Sequence, residues 1–126
     1  MEGFEFQFSQ GDLDRTKPMV PGWYPAKVSK IEKKPAKDGS MNANVHFAFT
    51  GSDATGRTRF KSFNEKDNAK VFAIPFFKAC NNGKDLAPGQ SYNIFATEGK
   101  ELEVYVKNRE YEGRIIDEIT DFRPLS

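Results

Sequence analysis

The last quarter of the chain, residues 99–126, reads GKELEVYVKNREYEGRIIDEITDFRPLS. Over residues 101–107 aliphatic side chains alternate with polar ones, and this period of two predicts a strand with one buried face. Apolar residues resume over 114–122, so the stretch predicts a closing β-hairpin. Its connection, Lys107–Gly113, would present two cations and a tyrosine ring at an exposed tip, beside a glycine that allows close backbone approach.

Three more strands are predicted upstream of this hairpin. The first covers Gly22–Lys34 and needs one extra residue near Ser29 and Lys30 to keep its apolar side chains on one face, which predicts a β-bulge. After a turn at Asp38-Gly39, the near-ideal alternation of Met41–Phe49 predicts the second strand. The third, Arg57–Phe63, follows a turn at 51–56.

A helical insertion is predicted between the third strand and the closing hairpin. Asn64 is a good N-cap, and apolar residues follow at spacings of three and four as far as Cys80. Pro75 should bend or split this helix, and Asn82-Gly83 should end it. The sequence of Gln90–Glu98 fits either a short strand or a helical turn.

Taken together, these elements predict a mainly β fold, a five-stranded OB-like barrel with one helix between strands 3 and 4 and an aromatic N-terminal segment. We expect a single domain over residues 1–126, with residues 1–21 as an N-terminal arm that includes a loop over Gly11–Pro21. The main alternative is an open antiparallel sheet with one helix packed across it. In the arm, Phe4, Phe6 and Phe8 alternate with polar residues, which favours packing in the core or at the edge of a dimer over base stacking.

Composition restricts the classes of function. The 126 residues include one cysteine and no CxxC pair, so we expect neither a disulfide nor a zinc site, and a reducing, cytoplasmic setting. No signal-like N-terminus and no run of 18 apolar residues occurs, which predicts a protein that is neither secreted nor membrane-spanning. The formal net charge is +1, but residues 22–61 hold eight basic and three acidic residues. Such a concentration of cations can attract a polyanion.

We find no pattern that predicts an enzyme. His46 and Cys80 are the only histidine and the only thiol, and Cys80 falls on the apolar helix face, where a buried structural role is usual. A metal-dependent nuclease would need carboxylates that hold Mg²⁺, and the candidates are Asp117, Glu118 and Asp121. Their spacing along one strand instead favours carboxylates on a solvated strand edge. No cofactor or metal is expected.

Cations interleaved with aromatic rings are instead typical of single-stranded nucleic-acid binding, because phosphates need positive charge and bases need flat partners. On an OB barrel the ligand crosses strands 2 and 3, between the loops that join strands 1 to 2 and 4 to 5. For each ring, packing in the core remains the alternative. The candidate nucleic-acid-binding residues are Trp23, Lys27, Lys30, Lys33, Lys34, Lys37, Phe47, Arg57, Arg59, Phe60, Lys61, Tyr105, Lys107, Arg109, Tyr111 and Arg114.

Several stretches resemble small phage-encoded single-stranded DNA-binding proteins. They are PGWYPAKV from Pro21, IEKK from Ile31, the Asp38-Gly39 turn, GKELEVYV from Gly99 and EYEGR from Glu110. The resemblance implies an OB-like fold, sequence-tolerant binding of single-stranded DNA in phage replication or recombination, action in the host cytoplasm, and homo-oligomers. It also implies phage or host replication and recombination proteins as partners. The alternative function is a phage protein-interaction or structural module that assembles through its N-terminal edge strand.

Overall fold

The computed structural model describes residues 3–14, 16–51 and 54–125, so residues 52 and 53 of the predicted 51–56 turn lie outside the described part. The described elements are helix α1 Gln10–Asp14, strands β1 Gly22–Pro35, β2 Met41–Phe49 and β3 Thr58–Asn64, a 3-10 helix Lys70–Ala73, helix α2 Ile74–Cys80, a second 3-10 helix Ile94–Thr97, and strands β4 Glu101–Tyr111 and β5 Arg114–Pro124.

Five antiparallel strands form one sheet in the order β3-β2-β1-β4-β5, which confirms a mainly β fold. The long strand β1 is central because its first residues pair with β4 and its later residues pair with β2. The register with β2 shifts between Val28 and Lys30, so the predicted bulge is confirmed. A bulge bends a strand, and this one separates the two halves of β1 that serve different neighbours.

One face of the sheet buries a core rich in aromatic rings. Phe76 of α2 is fully buried and lies 5.8, 5.3 and 5.4 Å from the ring centroids of Phe47, Phe63 and Phe122. Aliphatic side chains of β1, β2 and β4 complete this core. Helix α2 therefore covers the inner face of the sheet, and the outer face is left to solvent.

The sheet does not close through a hydrogen-bonded ladder between its edge strands β3 and β5, so the predicted barrel is not confirmed. Side chains nevertheless join the two edges. The Arg59 guanidinium donates from Nε and Nη2 to Asp117 Oδ2, at 3.0 and 2.7 Å, and the ring centroids of Phe63 and Phe122 are 5.9 Å apart. These contacts curl the sheet around the core.

The helical insertion differs in position from the prediction. The α-helix begins at Ile74 rather than after Asn64, and Pro75 lies in its first turn, where a proline costs no hydrogen bond. Asn64 instead donates from Nδ2 to Asn42 and accepts from the Lys66 amide. A second short helix, α1, lies in the arm where a loop was predicted. Over Gln90–Glu98 the helical alternative is the one observed.

The closing hairpin is longer and tighter than predicted. Strands β4 and β5 continue to a two-residue turn, Glu112-Gly113, whose positive φ values of 50° and 77° suit a type I′ turn. Because β1 begins at Gly22, opposite Val106, no third strand of the described residues lies beside the hairpin beyond that point. Most of the predicted Lys107–Gly113 loop is therefore a projecting two-stranded ribbon.

The N-terminal arm is anchored at its root and open at its tip. Met19 is buried, its amide donates to Asp117 Oδ1 at 2.9 Å, and its carbonyl accepts from Asn108 at 3.0 Å. Residues 3–9 form neither helix nor strand, and their phenylalanine rings are exposed, so they are not part of the core. Within the described residues, no helix has the length and apolarity needed to cross a membrane.

Candidate nucleic-acid interface

The outer face of β1, β2 and β3 brings together side chains that are far apart in sequence. The register places Lys30 opposite His46, and His46 opposite Phe60. Their neighbours on the opposite parity, such as Val28 and Phe47, are buried, so these side chains point away from the core. We call Lys30, Glu32, Lys34, His46 and Phe60 the Phe60 cluster.

An exposed ring lies at the β3 end of the Phe60 cluster. Phe60 is 59% exposed, whereas Phe47, Phe49 and Phe63 of β2 and β3 are buried. The His46 ring lies 5.5 Å from it at 34°, and His46 Nε2 is 2.9 Å from Glu32 Oε1. The contact holds the imidazole beside the phenyl ring, and the exposed Phe60 ring offers a flat face on which a nucleobase can stack.

Lysines of β1 flank these rings. Lys30 Nζ is 3.2 Å and Lys34 Nζ is 3.8 Å from the carboxylate of Glu32. The hydrogen bond and charge of Lys30 are the main reason that the pKa of Glu32 is lowered from 4.5, so this carboxylate is ionised at neutral pH. The cluster therefore holds two lysines against one carboxylate, and Lys27 continues the line of cations along β1.

Amide and hydroxyl groups extend the outer face beyond Phe60. Asn42 faces Asn64 and Asn44 faces Ser62 across β2 and β3. Asn64 Nδ2 donates to Asn42 Oδ1 at 2.7 Å, and Ser62 bonds to the side-chain oxygen of Asn44. Such groups can donate to or accept from base edges without selecting one base.

A second aromatic group lies on the outer face where β1 meets β4. Trp23 pairs with Tyr105, and their rings make an edge contact at 5.3 Å. The Arg123 guanidinium lies 4.2 Å above the Trp23 ring and also bonds to Glu103 at 2.8 Å. Because Arg123 already covers the indole, Trp23 offers a base less open surface than Phe60 does.

The projecting hairpin carries the third group. Arg109, Tyr111 and Arg114 are exposed, and the Arg109 guanidinium lies 5.5 Å from the Tyr111 ring centroid. Arg109 also pairs with Glu118 at 3.5 Å, and Lys107 is exposed on the same ribbon. This hairpin tip and the β1–β2 turn lie at opposite ends of β1, so the outer face of β1 runs between them.

The structure separates other predicted residues from this face. Phe47 is fully buried against Phe76, so its assignment to the base-binding set is wrong and it is a core residue. Arg59 is committed to the buried carboxylate of Asp117, and Arg57 Nη1 donates to the carbonyl of Lys17 at 2.8 Å.

The candidate cations of β1 and β3 do not all lie on the outer face. Lys33 and Lys61 lie opposite Ala43 and Val45, on the inner parity of the sheet, whereas Lys27 and Lys30 lie on the outer parity. Lys37 is exposed in the β1–β2 turn. Because successive side chains of a strand point to opposite faces, these lysines are divided between the two faces of the sheet.

The groups considered for catalysis have other roles. Burial raises the pKa of the Cys80 thiol to about 11, so it is protonated and a poor nucleophile at neutral pH. Asp117 is held by Arg59, Met19 and Asn108, and Asp121 accepts from the amide of Phe122. Among the described residues, no group of three or more His, Cys, Asp or Glu side chains could hold a metal ion.

Comparisons with protein-family models and with curated protein sequences find no match to this chain.

Proposed function

We propose that this chain binds single-stranded nucleic acid across the outer face of β1, β2 and β3. The observation that carries the proposal is the exposed Phe60 ring, held beside His46 and flanked by Lys30 and Lys34. A duplex hides its bases inside the stack, whereas a single strand can lay them on a flat ring while its phosphates meet the lysines. The amide groups beside Phe60 fit sequence-tolerant contacts.

Within that class, we propose a single-stranded DNA-binding protein that acts in phage DNA replication or recombination in the host cytoplasm. The stretches at Pro21, Gly99 and Glu110 support this assignment through their resemblance to small phage proteins of that kind. Homo-oligomers and contacts with replication or recombination proteins belong to the same proposal. We expect the protein to act without a cofactor and without catalysis.

We also propose that the curled sheet has the architecture of a partly open OB-like barrel. The contacts of Arg59 with Asp117 and of Phe63 with Phe122 support this, because they join the two edge strands that such a barrel brings together. The position of α2 over the inner face fits a helix that covers one opening of the barrel.

Titration of a labelled oligo-dT of about 20 nucleotides tests the proposed function, since OB-type sites cover about 4–16 nucleotides. If about five cations contact phosphate, the log–log salt slope should be near −3.5, which is roughly a 100-fold loss of affinity between about 50 and 200 mM salt. Oligo-dA and mixed sequences should bind within about tenfold of oligo-dT. Absence of binding at low salt would end the proposal, and oligo-rU tests the preference for DNA.

Replacing Glu32 with glutamine should tighten binding of oligo-dT, roughly two- to tenfold at low salt. The substitution removes the negative charge between Lys30 and Lys34 but keeps the size and hydrogen-bonding capacity of the side chain. Fluorescence anisotropy of wild type and variant at about 50 mM salt measures the change. Glu98→Gln, at an exposed carboxylate outside the cluster, is the matched control. Weaker binding by Glu32→Gln would show that the carboxylate itself contacts the ligand.

The second candidate function is a phage protein-interaction or structural module that assembles through the N-terminal arm. The exposed Phe4, Phe6 and Phe8 rings favour it, although residues 3–9 are not an edge strand of the sheet. Deletion of residues 1–10 separates the two functions. Loss of assembly with intact oligo-dT binding would assign assembly to the arm and binding to the sheet.

A further inference from the structure

An apolar groove lies where the ends of β1, β2 and β3 face α2 and the segment that leads to β4. Its volume is about 730 Å³, and Met41, Phe63, Ile74, Phe77, Leu86 and Ile94 contribute to its lining. Val71 and Phe95 also line it and are 49% and 48% exposed. A groove of this size and apolarity is a favourable site for large hydrophobic side chains.

The N-terminal arm carries three such side chains. Phe4, Phe6 and Phe8 are 88%, 67% and 66% exposed. Neighbouring rings contact each other at 4.8 and 6.1 Å, and residues 3–9 have no regular secondary structure. The structure therefore presents an exposed row of phenylalanine rings on the arm and an exposed apolar groove that such rings could fill.

The arm and the groove are at opposite ends of strand β3. The arm passes Arg57, which lies just before β3, and the Lys17 carbonyl accepts a hydrogen bond from the Arg57 guanidinium. Phe63, at the other end of β3, lines the groove. Seven strand residues span about 23 Å. An arm that is rooted at one end of β3 and enters the groove at the other end of β3 in a second copy makes a head-to-tail contact.

Charge and area are consistent with this pairing. Glu5 lies between the arm phenylalanines, and two cations, Lys33 and Lys70, line the groove. Lys70 also pairs with Asp67. The Glu65 carboxylate at the groove accepts a hydrogen bond from the Met41 amide. Three phenylalanine side chains bury about 450–750 Å². With a similar area of groove surface covered, the interface would bury roughly 900–1,500 Å², which reaches the roughly 1,000 Å² that specific interfaces need.

We propose that the phenylalanine arm of one copy occupies the apolar groove of the next copy. This names the interface of the proposed homo-oligomer, goes beyond the nucleic-acid site, and does not depend on it. The contact is heterologous, so each added copy leaves one free arm and one free groove, and the assembly grows as an open chain or closes as a ring.

Sedimentation velocity of the full chain without nucleic acid tests the interface. The mass of the wild type should rise with concentration. Serine at positions 4, 6 and 8 (Phe4→Ser, Phe6→Ser, Phe8→Ser) removes the arm rings, and Val71→Asp with Phe95→Asp places acids in the groove. Either change should raise the concentration of half-assembly by roughly tenfold or more. The matched control, Ile115→Asp with Leu125→Asp, changes two exposed apolar residues outside the arm and the groove and should assemble as wild type.

A mixture of the two variants gives the decisive result. The arm variant keeps its groove and the groove variant keeps its arm, so the two should form a one-to-one dimer that cannot extend, although each alone is monomeric. A wild type that stays monomeric at all concentrations would overturn the proposal, because the arm would then serve its own chain or a different protein. Assembly of either variant at the wild-type level, or a mixture that stays monomeric, would overturn it as well. Oligo-dT binding by the same variants, measured separately, shows whether the nucleic-acid site is intact.

Discussion

An Arg59→Ala variant should lose about 3 kcal/mol of unfolding free energy. The Asp117 side chain is 3% exposed, and both Nε and Nη2 of Arg59 donate to its Oδ2 atom. Removing the guanidinium leaves a buried carboxylate whose remaining donors, among the described residues, are the amide of Met19 and the side chain of Asn108. An underpaired buried charge is more costly than a lost hydrogen bond. Urea unfolding monitored by circular dichroism measures the change.

Two further variants make the stability experiment specific. Arg109→Ala removes an exposed arginine that pairs with Glu118 at 3.5 Å, and it should change the unfolding free energy by less than about 1 kcal/mol. The double variant Arg59→Ala, Asp117→Ala should be more stable than the two single losses predict, because it no longer buries a lone charge. If the unfolding free energy of Arg59→Ala lies within about 0.5 kcal/mol of the wild-type value, the edge strands are held together by the aromatic core alone.

A Phe60→Ala variant should bind oligo-dT more weakly by about 1–3 kcal/mol, which is roughly 5- to 150-fold. The reason is that Phe60 presents the most open ring on the outer face, and alanine has no surface on which a base can stack. Because the ring is 59% exposed, its loss should have little effect on folding. Anisotropy titrations at fixed salt measure the affinity, and urea unfolding checks the stability.

The matched control for Phe60→Ala is Phe72→Ala. Phe72 is 71% exposed but precedes α2, away from the outer face of β1, β2 and β3. It should bind oligo-dT as wild type does. Equal losses in both variants would mean that exposed phenylalanines act non-specifically, and a twofold or smaller loss in Phe60→Ala would remove this ring from the interface.

Much of the sheet is predictable from its sequence because burial imposes a period of two. Strand β2 matches the predicted Met41–Phe49 alternation, and the register shift between Val28 and Lys30 matches the predicted bulge. The ends of β4 and β5 are not predictable in this way. Beyond Gly22 no strand in the described part of the chain lies beside the ribbon, and the exposed residues of the ribbon lose the apolar alternation, so their sequence resembles a loop.

The composition of the candidate site is only partly predictable, because the face on which a side chain lies depends on how the strands pair. Lys30, Lys34 and Phe60 were predicted, but the pairing of His46 with Phe60 through β2 and β3 required the strand partners. The sequence predicts Arg59 as a nucleic-acid-binding cation because it belongs to the basic stretch over residues 22–61. Its buried partner Asp117 is 58 residues away, and no local pattern indicates that contact.

The central position of β1 has a consequence for synthesis on the ribosome. Residues 22–27 of β1 must wait for residues 101–106 of β4, which follow them by 74 to 84 residues, before the two strands can pair. Contacts between such distant segments slow folding, and an unpaired edge can attach to another chain in the meantime. We therefore expect nascent chains to complete the sheet late, and truncation before β4 to yield aggregates rather than a smaller folded protein.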